Sequence, residues 1–353
     1  MSSHRILWCV DISTAQPDRI LYRGWQLELF LFSMIEKGKI NPEDICVTCY
    51  SQNLDFDLPL YYEKIFSIHP RVKIAREIDI GFSPLYHTID RGPNDYCAIN
   101  KSSALIPVYK NSFHHNYDVI ALLDLDAFMF GRANYDAYPT TTTLTDYPPI
   151  EPKTFCRITS GLQGQEAFID PSHLKDIWGN PWNGINMMKI MEAINVPKGN
   201  REKIKAGSYN IFIGHDDFTE ELVYGFQYFT IALKALCAAA GHPFIWQAEM
   251  GAYPLALASY GIDYEISDAV EINDCPWHQK VVPEGTLCTY AFDGFSSESG
   301  SNWNKLNYMY STPFDDIYTI NHGLHDSNSD AERFFYECCQ EIRETYRFNR
   351  AEL

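Results

Sequence analysis

Five apolar residues in a row, Val119-Ile-Ala-Leu-Leu123, stand between Asp118 and Asp124. A strand with one wet face alternates apolar and polar side chains; an unbroken run suits a central strand covered on both faces. Such a strand needs helices above and below a largely parallel sheet. The upstream chain supplies them. Residues 6–10, 45–50 and 72–78 read as short buried strands, and residues 25–36 and 98–110 carry apolar side chains at helical spacing. Strand and helix alternating across residues 6–123 imply an α/β fold with right-handed crossovers. Beyond Phe130 the texture changes. Residues 137–152 are rich in Thr, Tyr and Pro and read as a loop, and residues 168–207 hold scattered Pro, Gly and Asn with one helix near 185–194. A strand at 208–214, helices at 221–240 and 248–260, a Ser/Gly loop at 292–304 and an amphipathic helix at 332–347 complete the chain. This organisation predicts one domain over residues 1–353, with a nucleotide-type half at 1–130 and an acceptor-shaping half at 131–353.

Charge narrows the partners. The 28 Lys and Arg against 46 Asp and Glu leave a net charge of −18. Nucleic acid needs a basic face, so it is not an expected partner. A phosphate-bearing small molecule remains compatible if a divalent cation inverts the local sign, and so few bases suggest that phosphate leans on metal. Ten cysteines are scattered, mostly in apolar runs. Cys46-Val-Thr-Cys49 has the CxxC spacing but lies in a strand-like segment with no second pair, so buried free thiols are expected rather than zinc. The apolar run at 6–10 is too short for a signal-peptide core, and the longest apolar stretch, 224–240, is interrupted by Gln227 and Lys234. A soluble, cytoplasmic protein without an integral membrane segment is therefore expected.

Asp124 and Asp126 close the apolar run. Two carboxylates one residue apart point to the same side of an extended segment, and in open α/β sheets ligands bind beyond the carboxyl ends of strands. Together the pair can hold one hard cation, Mn²⁺ or Mg²⁺, that bridges the oxygens of a nucleotide diphosphate. Asp55-Phe-Asp57 has the same spacing but sits in a loop-like stretch ending at Pro59, where solvated carboxylates are the expectation.

A wider set of short elements runs in one order along the chain: Tyr22-Arg-Gly-Trp25-Gln26, Asn100-Lys101, Asp124-Leu-Asp126, Trp246-Gln-Ala-Glu249-Met250-Gly-Ala-Tyr253, Gly261-Ile-Asp-Tyr264, Pro276-Trp277 and Leu287-Cys-Thr-Tyr290. This series resembles the hydroxyproline O-arabinosyltransferases and peptidyl-serine α-galactosyltransferases of plants. The resemblance implies a GT-A fold, meaning a Rossmann-like, mostly parallel sheet flanked by helices with an elaborated C-terminal acceptor half. It also implies a UDP-sugar donor, a divalent metal at Asp124 and Asp126, and transfer to a glycan or glycopeptide hydroxyl with retention. Val10, Asp11 and Ser13 would meet uracil and ribose, and Lys101 and Asn100 the diphosphate or a sugar hydroxyl. Glu249 would serve as general base or bind sugar hydroxyls. Asp216 and Asp217 could touch donor sugar or acceptor, although capping of the 219–240 helix is the better reading of them, and Asp217 is the one carried as a catalytic candidate. Two departures stand out. The plant enzymes are membrane-anchored, and Thr289 stands where they commonly carry a metal-binding His, which leaves His322, His325 and His278 as candidates for that role. Trp178, Trp182, Trp246, Trp277 and Trp303 fall in the half expected to bind acceptor, where at most two would stack on sugar rings. Two rival readings are a nucleotidyltransferase and a non-catalytic carbohydrate-binding module with a structural metal. The first usually needs a Gly-rich basic loop after the first strand, and residues 11–18 contain neither Gly nor base.

Overall fold

The computed structural model describes residues 4–14, 19–79, 97–145, 192, 195–203, 210–239, 248–267, 271–272, 281–290, 305–327, 329–348 and 350. The expected helix near 185–194, apart from residue 192, the loop at 292–304, His278, and Trp178, Trp182, Trp246, Trp277 and Trp303 lie outside the described residues.

The described residues form a mixed α/β structure around a seven-stranded sheet of order β3-β2-β1-β4-β7-β6-β8. Its strands are β1 (Ile6–Ser13), β2 (Ile45–Ser51), β3 (Lys73–Ile78), β4 (Val119–Leu122), β6 (Thr143–Thr145), β7 (Ile211–Gly214) and β8 (Glu265–Ser267). Parallel pairings join β3, β2, β1 and β4, and also β6 and β8. Only β7 runs against its two neighbours. A smaller sheet pairs β5 (Ala127–Phe130) with β10 (Thr286–Thr289), and β10 with β9 (Glu271–Ile272).

The continuous apolar run does become a two-sided central strand. Ile120 and Leu122 pack into a core with Leu105, Phe226 and Tyr253, on the face covered by α3 (Leu105–Lys110), α4 (Glu220–Ala239) and α5 (Ala248–Ser259). Val119, Ala121 and Leu123 pack into the opposite core with Leu27, Phe30 and Ile65, under α1 (Ile20–Phe32) and α2 (Leu60–Ile68). The far side of α1 is also apolar. Trp25, Leu29 and Phe32 meet Phe128, Cys288 and Tyr290 of the small sheet and Phe335, Cys339 and Ile342 of α7 (Asp330–Thr345). Helix α1 is thus wedged between two sheets, which explains why its residues from Arg23 to Phe32 are all buried. Gly24 is required there, because a Cβ would stand 2.4 Å from the Tyr61 ring.

Several elements differ from expectation. β1 runs through Ser13, so Asp11 and Ser13 are strand residues rather than part of a following loop. The segment before β4 begins as a 3-10 helix, Cys97–Ser103, and becomes α-helical only at Leu105. A short strand, β6, lies inside the Thr-rich stretch that read as loop; β-branched residues suit strands even when polar. Cys46 and Cys49 point into opposite cores, because three residues apart on a strand means opposite faces. They are buried free thiols, and burial pushes the Cys49 thiol up. Asp55 and Asp57 are exposed in a loop, as their sequence context implied. No helix among the described residues is long and apolar enough to cross a membrane.

Candidate active site

The strand order changes direction at β1. Its neighbour β2 follows it in sequence, whereas β4 arrives on the other side after the chain has passed through β3. Crevices at the carboxyl ends of strands beside such a switch are the common ligand sites of open α/β sheets. Six polar side chains converge on this one.

β1 contributes Asp11. Strand alternation puts Cys9 and Asp11 on the α3–α5 face and Val10 on the other. The Asp11 carboxyl is surrounded closely enough that burial pushes it up to about 7. Lys101 and Arg23 pull it down, while Asp124 and Asp79 push it further up. Ser13, one pleat further on, donates its hydroxyl to Asp79 Oδ2 at 2.6 Å. Asp79 follows β3, is buried, and also accepts from Asn100 Nδ2 at 2.8 Å. This brace fixes the 3-10 helix Cys97–Ser103 against the ends of β1 and β3. The Tyr50 hydroxyl donates to the Asn100 carbonyl and secures it from the sheet side.

The next residue of that helix, Lys101, reaches the metal-motif candidate. Its Nζ lies 2.5 Å from Asp124 Oδ1, with the lysine side chain 6% and the aspartate 29% exposed. The Asp124 backbone N–H donates to Asn210 Oδ1 at 2.8 Å, so the residue before β7 pins the end of β4. Burial raises the Asp124 carboxyl above its ordinary range, against the pull of Lys101. Asp126 has a lysine of its own: Lys305 Nζ lies 2.5 Å from Oδ2, at side-chain exposures of 6% and 17%. Burial opposes the charge on Lys305, but Asp126 outweighs it and the ammonium is held above its usual range. Lys305 opens a 3-10 helix, Lys305–Tyr308, anchored where Trp25 Nε1 donates to the Tyr308 carbonyl at 3.1 Å. Tyr22 lies beside this pair; burial raises its hydroxyl, with Lys305 and Asp126 pulling in opposite directions.

The crevice therefore brings together Asp11, Lys101, Asp124 and Asp126 as the sequence led us to expect, with Asn100 and Ser13 holding the frame. Four other predicted positions are placed differently. Val10 is fully buried in the opposite core, so its side chain cannot meet a base. Asp217 lies at the other edge of the sheet. Because β7 is antiparallel to β4, Gly214 pairs with Val119, and His215 N–H donates to the Asp118 carbonyl at 2.9 Å. Six residues of strand, roughly 20 Å, separate Asp118 from Asp124. Asp217 accepts from the Thr142 hydroxyl at 2.5 Å and lines a cleft of about 600 Å³ with His115, Asp118, His215 and Asp216. The α4 N-terminus is capped instead by Thr219, whose Oγ1 accepts from Leu222 N at 3.3 Å. His322 and His325 belong to a helix, α6 (Ile317–Asp326), where His322 Nε2 is 3.6 Å from Asp326. No group of three His, Cys, Asp or Glu side chains among the described residues is placed to share a metal ion, so neither histidine joins the aspartate pair.

Glu249 sits in the first turn of α5, and its side chain is not among those described. The backbone still locates that turn. α5 ends at Ser259 and feeds β8, whose Glu265 N–H donates to the Thr142 carbonyl near the Asp217 cleft. Its start therefore lies toward the carboxyl edge, on the side of the crevice.

Sequence reasoning missed Asp79, Asn210, Lys305 and Arg23. Asp79 ends a strand, Lys73–Ile78, that carries Lys, Arg and Glu, so it lacks the apolar context that marked Asp124. Asn210 precedes a wholly apolar strand. Lys305 is 179 positions from its partner and gave no local sign. The bases also correct the inference from net charge. A chain of −18 nonetheless assembles Lys101, Lys305 and Arg23 around one crevice, because a folded surface segregates what composition averages.

Against models of known protein families and against curated proteins, the chain has no match.

Proposed function

We propose that this protein is a metal-dependent glycosyltransferase of the GT-A type. It would move a sugar from a UDP-sugar to a hydroxyl of a glycan or glycopeptide, with retention of configuration. The observation that carries the reading is the Asp124/Asp126 pair at the carboxyl end of β4, beside the switch point and flanked by Asp11 and Lys101. A mostly parallel sheet with helices on both faces is the architecture that the resemblance implies.

The residues suit a hard cation. Asp124 and Asp126 offer carboxylate oxygens only, which favours Mn²⁺ or Mg²⁺ over softer metals. With two protein ligands, the remaining positions would fall to diphosphate oxygens and water. When bound, the ion would neutralise charge developing on the departing diphosphate. Lys101 and Lys305 are the bases that would share that task, as cations aimed at where negative charge accumulates. Asp11 is suited to accept from ribose hydroxyls once ionised. Glu249 would orient sugar hydroxyls, the role that the resemblance implies for it.

The test is hydrolysis of a panel of UDP-sugars with and without Mn²⁺. One sugar should be released in a metal-dependent manner, and Asp124→Asn or Asp126→Asn should reduce release at least 100-fold, as loss of a preorganised electrostatic contact does. Full activity in both variants would sink the proposal.

A further inference from the structure

Each aspartate of the pair already holds a cation. Lys101 Nζ stands 2.5 Å from Asp124 and Lys305 Nζ 2.5 Å from Asp126, and both lysine side chains are almost wholly enclosed. The two lysines lie far apart in sequence and on separate 3-10 helices. Each helix is independently anchored, one by the Asn100–Asp79 hydrogen bond and the other by Trp25 on the Tyr308 carbonyl. Neither pairing is a surface accident.

Charge counting gives the consequence. The two carboxylates and their two ammonium groups sum to zero, and Asp11 and Asp79 against Arg23 bring the wider crevice to −1 with Asp11 ionised. A divalent ion added to that set would leave it positive beside two enclosed ammonium groups, which is unfavourable. The ion would also need the carboxylate oxygens that the ammonium groups now occupy. A diphosphate removes both obstacles, since it brings compensating negative charge and oxygens on which displaced ammonium groups can land.

Resting on the glycosyltransferase reading above, we infer that Lys101 and Lys305 are resident counter-ions of the aspartate pair that hand over to the diphosphate, so that metal and nucleotide bind only together. Free metal is rejected by the lysines. Free nucleotide meets carboxylates still carrying their own cations. The metal–nucleotide complex satisfies all parties at once: the metal takes Asp124 and Asp126 while the lysines take the phosphates. Lys101 and Lys305 thereby couple the binding of metal and nucleotide and act on substrate.

The experiment is a Mn²⁺ titration of the protein, read by the electron paramagnetic resonance signal of free Mn²⁺ with and without saturating UDP, alongside calorimetric UDP titrations with and without Mn²⁺. In the unmodified protein each ligand should tighten the other about 5–150-fold, the usual range of coupling between sites. In Lys305→Met, and separately in Lys101→Met, Mn²⁺ alone should bind more tightly than to the unmodified protein. UDP should bind more weakly, and the coupling should fall several-fold, the direct metal–phosphate bonds and the remaining lysine keeping it above unity. Tight Mn²⁺ binding to the unmodified protein without UDP would overturn the inference with no variant needed. Coupling of undiminished size in both variants would also overturn it, while leaving the glycosyltransferase reading intact. Failure of UDP to bind under any condition would overturn both.

Discussion

Two sets of buried acid–base pairs lie on either side of α1, and they differ in one respect. On the outer side, Glu28 accepts from Arg350 at 2.6 and 2.9 Å and from the Tyr61 hydroxyl at 2.6 Å, with side-chain exposures of 1% for Glu28 and 3% for Arg350. The arginine also stacks over Phe348 and Phe314. At the strand ends, the lysines are nearly as enclosed, but their aspartates keep 29% and 17% of their surface open. The first set is sealed by a planar, bidentate partner and aromatic lids. The second pairs single-point ammonium groups with carboxylates that face a crevice. Sealed pairs hold the fold together; pairs with an open carboxylate can exchange partners. Arginine suits the first task and lysine the second, because a guanidinium fork locks two oxygens while an ammonium is a mobile point charge.

The sharpest way to break this contrast is to remove one partner from the sealed set. Arg350→Met should cost about 3–5 kcal/mol, because Glu28 would be left charged and enclosed. Urea denaturation measures it, and a loss under about 1 kcal/mol would mean that the site is wetter than its geometry. Lys305→Met should cost less, since Asp126 can still reach water.

Next in size is a pH effect at Asp11. Its carboxyl lies at about 7 in the folded protein, above the ordinary value of 3.8. An acid whose folded value is raised binds more protons folded than unfolded between those two values, so stability falls as pH rises from about 4 to about 7 and the penalty is complete above 7. Asp11→Asn should abolish this slope and gain about 2–4 kcal/mol relative to the unmodified protein at pH 8 compared with pH 4. Parallel stability curves for the two proteins across that window would show that Asp11 titrates normally.

The smallest expected effect concerns the opposite sheet edge. Asp217→Asn weakens the hydrogen bond with Thr142 and should cost about 1 kcal/mol. UDP affinity and sugar release should be unchanged, and a loss of UDP affinity would contradict the separation of the two edges.

How much of this was legible in the chain follows from the range of each signal. Val119 to Leu123 announced a central strand because apolar continuity is a local property, and Asp124 and Asp126 stood out as candidates because they follow that strand. Asp217 was misplaced for an equally physical reason. A strand followed by carboxylates looks the same whether it runs with its neighbours or against them, and only the pairing of Gly214 with Val119 reveals the direction. Lys305 lies beyond any window, since nothing near it in sequence refers to Asp126. His322 and His325 were candidates because Thr289 stands where the plant enzymes commonly carry a metal-binding His. They lie on α6, where the neighbour of His322 is Asp326 and not the aspartate pair.

The central claim is that the open pair at Asp124 and Asp126 is a metal–nucleotide site. It is tested most directly by the thermal unfolding midpoint in UDP plus Mn²⁺. The unmodified protein should gain several degrees in the two ligands together, following the mass-action stabilisation of a ligand that binds only the folded state. The Asp124→Asn/Asp126→Asn protein, which should melt lower without ligand because Lys101 and Lys305 lose their partners, should gain nothing over its own ligand-free midpoint. An equal gain in both proteins, or none in the unmodified one, would contradict the account.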